Sequence, residues 1–333
     1  MPQRQRVLVL DDEFADTIAA VADRFPDFEI LTYRSAQTEP DALAVTRAVI
    51  TQFEPVDEQL LGAMPELRAV LKMGRNYYNI DMAALRRREL AFAATPRKGP
   101  NCVAELALTL MLALSKDLLI SHRSVAEGAY RLRGLTPERS AQWKMAFHWM
   151  RHTTLHELRG KTLGIVGMGE IGCELARRAD VMGMRILYTK RTPLSDELEH
   201  EFKAAYRTLD ALLAESDYVC LAVPHTDETE RMIGREQLAA MKPAAYLVNI
   251  CRGGVIDEEA MIEALRERRI AGAGLDVFTY EPLPEESPLC RLDNVILTPH
   301  VGGGSGTNRT IELGDALEAL RELLASSGTP AQT

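Results

Sequence analysis

The sequence predicts an α/β chain built as two doubly wound parallel-sheet domains. Three observations carry that prediction. The 333 residues exceed one ordinary domain and suit two. Short apolar runs alternate with helical patterns from the N-terminal end, which gives parallel strands with helices on the sheet faces. A second alternating series starts afresh at TLGIVG, residues 162–167, directly before a glycine-rich turn.

In the first series RVLVL (6–10) is a short apolar strand. The segment from Asp16 places Ile18, Val21 and Ala22 on one helical face. FEILTY, a helix near 40–46, RAVIT, a helix near 57–64, LRAVLKM, a helix near 81–88 and LAFAA follow. One long helix is expected from about Val103 to Val125, with Asn101 as its N-cap. Residues 128–158, rich in Arg, His and Trp, read as an irregular excursion. The second series continues with RILYTK, DYVCLAV, AYLVNI, AGLDVF and NVILTP. A final helix, from about Gly306 to Leu324, has no obvious seat on the second sheet and is expected to return to the first domain.

Composition removes several function classes. The formal net charge is −9, with no basic tail, which disfavours nucleic acid and anionic membranes as partners. The longest apolar stretch, LALTLMLAL at 106–114, is too short to span a bilayer. MPQRQRVLVLDD enters a strand without a signal-peptide pattern. The five cysteines, Cys102, Cys173, Cys220, Cys251 and Cys290, are scattered and form no CxxC. That usage fits a reducing compartment, so a cytoplasmic protein is expected. Cys220 and Cys251 lie in apolar strand runs and read as core filler.

TLGIVGMGEIGCELARRA reads as strand, loop and helix, with Gly167, Gly169 and Gly172 in the pattern G-x-G-x-x-G. Gly167 permits a tight turn, Gly169 lets the backbone approach a pyrophosphate, and Gly172 allows close helix–strand packing. The helix start offers free N–H groups and partial positive charge to phosphates. About 20 residues on, a dinucleotide site usually carries an acid that holds the ribose hydroxyls. Here the stretch is LYTKRT (187–192), with Lys190 and Arg191 in place of the acid. A carboxylate would repel the 2′-phosphate of NADP, whereas these cations, with Thr189 or Thr192, can donate to it. NADP is therefore the expected cofactor, with NAD as the alternative.

Three further stretches place polar residues at strand ends, on the same sheet edge as the glycine loop. LVNICRGGVIDEEAMIEAL (247–265) carries Arg252 past a buried strand and before a helix capped near Asp257. GAGLDVFTYEPLP (272–284) carries Asp276 within a strand and Glu281 beyond it. NVILTPHVGGGSG (294–306) carries His300 before a glycine-rich hinge. Arg252 can hold a carboxylate and polarise the adjacent carbonyl. His300 can deliver or accept a proton, and Glu281 can orient the imidazole. A nicotinamide would move the hydride.

These motifs resemble those of the D-isomer-specific 2-hydroxyacid dehydrogenases, over nearly the whole chain. GMGEIG resembles the family's cofactor loop, VNICRGGVIDEEAMIEAL its arginine motif, DVFTYEP its glutamate motif and LTPHVGG its histidine motif. The resemblance implies a Rossmann cofactor domain inserted in a flavodoxin-like substrate domain. The implied segments are 1–101 for the first part of the substrate-binding domain, 102–298 for the cofactor domain and 299–333 for the returning helix. It implies a catalytic triad of Arg252, Glu281 and His300, and an Asp276 that holds the nicotinamide carboxamide. It extends the cofactor contacts over Gly167, Gly169, Glu170, Ile171, Gly172, Lys190, Arg191, Thr192, Val223, Pro224, Ile250 and Cys251. LAVPHTDETERMIG resembles the nicotinamide-side segment, with His225 where leucine is common.

LKMGRNYYNIDMAAL is similar to the family's substrate loop, usually G-x-G-x-D-N-I-D, so Gly74, Arg75 and Asn76 join Arg252 and His300 as substrate-binding candidates. Asn76 replaces the second glycine and Tyr78 the aspartate, which leaves the identity of the acid open. The implied reaction interconverts a 2-keto acid and a D-2-hydroxy acid. Two other readings stay open: a dinucleotide-sensing corepressor-like binding protein, and a relative acting on formate or phosphite. Family members are commonly homodimers joined through the cofactor domain, and 103–158 is the expected interface. His148, His152 and His156 recur every four residues, but no HExxH signature accompanies them and no metal is expected. Trp143, Phe147 and Trp149 read as packing or interface residues, with one aromatic reaching a partner's substrate cleft as the sharper option.

Overall fold

The computed structural model describes residues 4–39, 41–74, 77–139, 149–304 and 306–327. The chain divides into two compact units, one formed by Met1–Gly99 with Gly304–Thr333, the other by Pro100–Gly303. In sequence, the second unit is thus an insertion in the first.

The first unit is a parallel sheet of β1 (Gln5–Val9), β2 (Phe28–Thr32), β3 (Ala48–Thr51), β4 (Ala69–Met73) and β5 (Ala91–Thr95). Its order, β2-β1-β3-β4-β5, is the flavodoxin-like one. β3 and β4 are buried along their whole length, as strands covered on both faces must be. Successive side chains point to opposite faces. Val7, Val9, Ile50 and Leu71 meet Phe14, Val21 and Phe25 on one side, while Leu8, Val49 and Val70 meet Leu61, Met64 and Leu85 on the other.

The final helix, Gly306–Ser327, packs in this first unit. Leu313, Ala316, Leu317 and Leu320 recur at helical spacing and enter the same core as Val7 and Leu71. The helix expected near 40–46 forms earlier, at Tyr33–Gln37, because Thr32 caps it by accepting from Ser35 N–H at 3.1 Å. Asp41–Val45 is a turn, and Asp41 has a left-handed φ of 63°.

The second unit is a parallel sheet of β6 (Thr162–Val166), β7 (Arg185–Thr189), β8 (Ala204–Tyr206), β9 (Tyr218–Leu221), β10 (Tyr246–Asn249), β11 (Gly272–Leu275) and β12 (Val295–Leu297). The order β8-β7-β6-β9-β10-β11-β12 is the Rossmann order with one more strand at the edge. The strand sequence reverses direction between β6 and β9, which opens a crevice at their carboxyl ends. Gly164 lets the helix Leu209–Glu215 lie flush on β6: a Cβ there would sit 2.5 Å from Leu212.

The single helix expected over 103–125 is two. Gly99–Ser115 and Leu118–Ala126 are separated at Asp117, which takes a left-handed φ of 46°. Asn101 is therefore inside the first helix rather than its cap; Pro100, with no N–H to satisfy, suits the first turn.

Candidate active site

The glycine loop joins β6 to the helix Glu170–Val181. Gly167 has φ +102°, and a Cβ on it would lie 2.6 Å from the Ala222 carbonyl oxygen. Gly172 packs so closely that a Cβ would lie 2.5 Å from the Gly167 oxygen. Both glycines are thus required by the fold. Gly169 is different: its φ of −97° suits any residue, and a Cβ there would meet no protein atom within 4 Å. Gly169 is also the N-cap, and it offers no side chain to the first-turn N–H groups of Glu170, Ile171 and Gly172. Open space over unspent donors at a helix start is what a pyrophosphate requires. The chain therefore fits a dinucleotide on an observation independent of the motif.

Beyond β7, Lys190 is half-buried and Arg191 and Thr192 are exposed. No acid stands at this strand end. The Arg191 guanidinium lies 3.8 Å from the Glu228 carboxylate, both well exposed, which makes a weak and easily displaced pair. Val223 and Pro224 follow β9. Val223 borders the glycine turn, and the Pro224 carbonyl accepts from Thr229 Oγ1 at 2.7 Å. His225 is hydrogen-bonded to Glu230. A Cβ on Gly254 would lie 2.6 Å from the His225 ring, so glycine there lets the imidazole rest against the turn after Arg252.

Arg252 follows β10 at the start of a tight turn, exposed, with one guanidinium nitrogen donating to the Cys251 carbonyl at 2.6 Å. The turn is set by Asn249, which sequence reasoning did not single out. Buried at the end of β10, Asn249 accepts from Cys251 N–H at 3.1 Å and donates to the Arg252 carbonyl at 3.0 Å. The available signal was a polar residue closing the apolar run YLVN. Gly253 is obligatory too: its Cβ would fall 1.9 Å from the Phe278 carbonyl carbon. Ile250 and Cys251 are buried, and burial pushes the Cys251 thiol up to about 11. Their side chains belong to the core.

Asp276 departs from its expected place. It lies just past β11 rather than within it, and it is 1% exposed. Its carboxylate already accepts from Thr298 Oγ1 at 2.6 Å, Val301 N–H at 2.9 Å and Gly302 N–H at 2.9 Å. A carboxylate with these contacts is a brace for the turn that follows β12. It braces His300, whose own N–H donates to the Asp276 carbonyl at 2.9 Å. His300 has φ 53°, an uncommon conformation for a non-glycine residue and one that needs such support. Thr298, also missed from sequence, completes the brace.

Glu281 and His300 are brought together. His300 Nδ1 lies 2.6 Å from Glu281 Oε2, and Glu281 Oε1 accepts from Phe278 N–H at 3.0 Å. Burial by itself would raise the Glu281 pKa. The hydrogen bonds from His300 and Phe278, with the charges of His300 and Arg252, outweigh it and hold the carboxyl below its ordinary value.

In the first unit Gly74 follows β4 with φ +100°, its N–H donating to the Thr95 carbonyl at 2.7 Å. Arg75 and Asn76 lie outside the described residues, as do Trp143, Phe147 and His148. His152 and His156 lie on non-helical backbone, so the spacing of four does not make a shared face. His156 Nε2 is 2.7 Å from the Tyr218 hydroxyl, and Trp149 packs edge-on against Tyr130. Among the described residues no group of side chains could hold a metal ion, and no helix is long and apolar enough to cross a membrane.

The family model for the D-isomer specific 2-hydroxyacid dehydrogenase NAD-binding domain matches residues 108–302. That is well over half of the chain. The chain belongs to the D-isomer-specific 2-hydroxyacid dehydrogenases. It is 42% identical to a glyoxylate reductase from Korarchaeum cryptofilum, over 77% of this chain and 73% of the relative. It is 39% identical to a glyoxylate/hydroxypyruvate reductase B from Pectobacterium carotovorum, over 91% of this chain and 89% of the relative. Among solved structures, an NADPH-dependent glyoxylate/hydroxypyruvate reductase from Sinorhizobium meliloti superposes with a TM-score of 0.71 at 26% identity, covering 97% of this chain and 95% of the other. This member of the family is an NAD(P)-dependent oxidoreductase that interconverts 2-keto and D-2-hydroxy acids. The corepressor-like and formate or phosphite readings are not favoured.

Proposed function

We propose that this dehydrogenase reduces a small 2-keto acid with NADPH, using His300 as the proton donor. The observation that carries the reading is the 2.6 Å contact of His300 with Glu281, at the same strand-end edge as Arg252 and the glycine loop. Bound nicotinamide supplies the hydride. The Arg252 fork holds the substrate carboxylate and polarises the neighbouring carbonyl. Glu281 accepts from Nδ1, which leaves Nε2 as the proton-bearing nitrogen that serves the keto oxygen. In the oxidative direction the same nitrogen takes the proton back. Asp276 and Thr298 hold His300 in place, and Asn249 holds Arg252.

Gly167, Gly169 and the N–H groups of Glu170, Ile171 and Gly172 would cradle the pyrophosphate. Lys190, Arg191 and Thr192 would hold a 2′-phosphate, with Arg191 released from Glu228. Val223, Pro224 and the backbone of Ile250 and Cys251 would border the nicotinamide side. The resemblance of the GRNYYNID stretch to the family's substrate loop supports Gly74, Arg75 and Asn76 as substrate-binding residues. The relatives' names, glyoxylate reductase and glyoxylate/hydroxypyruvate reductase, support a short keto acid. The name of the Sinorhizobium meliloti neighbour supports NADPH. A homodimer through the second unit is supported by the apolar side chains Leu118, Leu119, Ile120, Val125 and Leu132, exposed along 118–132. A cytoplasmic location is supported by the cysteine usage.

The deciding experiment is a screen of small 2-keto acids with NADH and NADPH, followed by absorbance at the reduced nicotinamide band. Turnover of any keto acid supports the oxidoreductase reading, and faster turnover with NADPH supports the cofactor choice. Cofactor binding without turnover of any keto acid would point to the corepressor-like alternative.

A further inference from the structure

The segment 190–193 leaves β7 with two cations, Lys190 and Arg191, and runs toward the helix Asp196–Phe202. The sheet fixes its entry. Thr189, the last residue of β7, pairs with Val166, and its carbonyl accepts from Gly167 N–H at 2.9 Å. That bond ties the segment to the first glycine of the cofactor loop. A single side chain fixes its exit. The Tyr188 hydroxyl accepts from Leu194 N–H at 2.8 Å and donates to Glu199 Oε1 at 2.7 Å. Glu199 Oε1 also accepts from Tyr206 N–H at 3.2 Å, and the rings of Tyr188 and Tyr206 meet edge-on at 5.7 Å. Tyr188 is fully buried. Burial and the bond to Glu199 push its pKa up to about 12, so the hydroxyl remains a donor at neutral pH.

A buried tyrosine needs one partner for its hydroxyl, and Glu199 supplies it. The second bond, to Leu194 N–H, is of a different kind. Leu194 is half-buried, and its N–H could be met by water; instead it is tied to the interior. Only four residues separate Thr189 from Leu194. Pro193 fixes its own φ and biases Thr192 toward extended backbone. A segment this short, held at both ends, has few conformations left to lose. It also lies close to the glycine loop. Burial raises the pKa of Cys173, the fourth residue of the helix Glu170–Val181, and the charges of Arg177 and Lys190 oppose that rise.

We infer that Tyr188 is a positioning residue for cofactor choice: by anchoring Leu194 it presents the segment with Lys190 and Arg191 already ordered to a 2′-phosphate. This rests on the reading of those two cations as the 2′-phosphate site. A phosphate that meets ordered donors does not have to order them on binding, so the anchor strengthens binding of the phosphorylated cofactor. NADH has no 2′-phosphate and gains nothing from it.

The test uses adenosine 2′,5′-bisphosphate and 5′-AMP, which differ only in the 2′-phosphate, alongside NADPH and NADH. By calorimetry the native protein should bind the bisphosphate more tightly than 5′-AMP. Tyr188→Phe keeps the buried ring and removes the anchor. Its dissociation constant for the bisphosphate should rise about tenfold, with that for 5′-AMP unchanged. The ratio of kcat/KM for NADPH to that for NADH should fall by a like factor, through the KM for NADPH. Glu199→Gln keeps an acceptor for the hydroxyl and should keep the native preference; a loss there as large as in Tyr188→Phe would put the effect in charge and not in the anchor, against the inference. In the native protein the Leu194 amide should exchange hydrogen slowly, and rapid exchange overturns the inference however the variants behave. An equal loss of both nucleotides in Tyr188→Phe marks a merely structural role and overturns it too. Equal binding of the two nucleotides by the native protein refutes the NADPH reading and the inference with it, whereas a native preference that Tyr188→Phe retains refutes the inference alone.

Discussion

The His300 imidazole and the Glu281 carboxylate are joined at 2.6 Å, from residues 19 positions apart on two different strand-end loops. Because Glu281 accepts from Nδ1, it fixes which ring nitrogen is left to face a substrate. His300→Ala should lower kcat by roughly 10²–10⁴-fold, the usual worth of a positioned acid or base, and leave NADPH affinity nearly unchanged. Glu281→Gln should lose less, since an amide can still hold the ring. Steady-state kinetics with fluorescence titration of the cofactor separates the two effects. Full turnover in His300→Ala would end the assignment.

The lowered pKa of Glu281 has a consequence for acid stability. The ionised carboxylate is favoured in the folded state by the His300 and Phe278 hydrogen bonds and by nearby positive charge. A depressed folded pKa means that the stabilisation is fully present above the ordinary carboxylate value of about 4.3 and is lost as pH falls through the lower folded value. The difference in Tm between the native protein and Glu281→Gln should therefore hold steady from neutral pH to about pH 5 and shrink below it. Thermal unfolding followed by circular dichroism across that range checks this. A difference that grows on acidification would contradict it.

Asp276 should act through His300 rather than through the cofactor. Its carboxylate collects Thr298, Val301 and Gly302 and so secures the left-handed backbone at His300. Asp276→Asn turns an amide N–H₂ toward at least one of those donors. A loss of about 1–3 kcal/mol in stability is expected, with a lower kcat and an NADPH dissociation constant little changed. A large loss of cofactor affinity with unchanged Tm would instead restore the carboxamide role.

Much of this was legible in the residues. The alternating apolar runs announced both sheets, because strands buried on both faces leave little room for polar residues. The glycine loop and the strand-end residues Arg252, Glu281 and His300 could be read because their chemistry is unusual at such places. What stayed hidden depends on where a side chain turns. Asp276 could be placed near the site, but three N–H and O–H donors that occupy it come from residues 298–302, which only the fold brings near. Asn249 looked like the end of an apolar strand. The helix break at Asp117 and the early start at Tyr33 follow from a left-handed residue and a Thr cap, which outweigh the smoother hydrophobic pattern.

Two of the three loop glycines should separate in mutation. Gly172→Ala puts a methyl group 2.5 Å from the Gly167 oxygen and should cost roughly 1–3 kcal/mol in stability. Gly169→Ala meets no protein atom, so Tm should hold, while the new methyl group occupies the space a pyrophosphate needs. Its NADPH affinity should fall by about tenfold or more. Equal Tm losses in both variants would show that Gly169 serves the fold.

Lys190 and Arg191 should set the cofactor preference. Lys190 is half-buried just past the end of β7, whereas Arg191 is exposed and only loosely paired with Glu228. A 2′-phosphate would compete with the Glu228 carboxylate for Arg191 and win on charge and on acceptor count. Lys190→Asp removes one donor and adds a charge that repels the phosphate and accepts from ribose hydroxyls. The ratio of kcat/KM for NADPH to that for NADH should exceed one in the native protein and fall roughly 10–100-fold in Lys190→Asp, as expected for the loss of one charge-assisted bond. Glu228→Gln should move the ratio the other way, by freeing Arg191. A native ratio below one would refute the preference. A ratio untouched by Lys190→Asp would show that the cations merely face solvent.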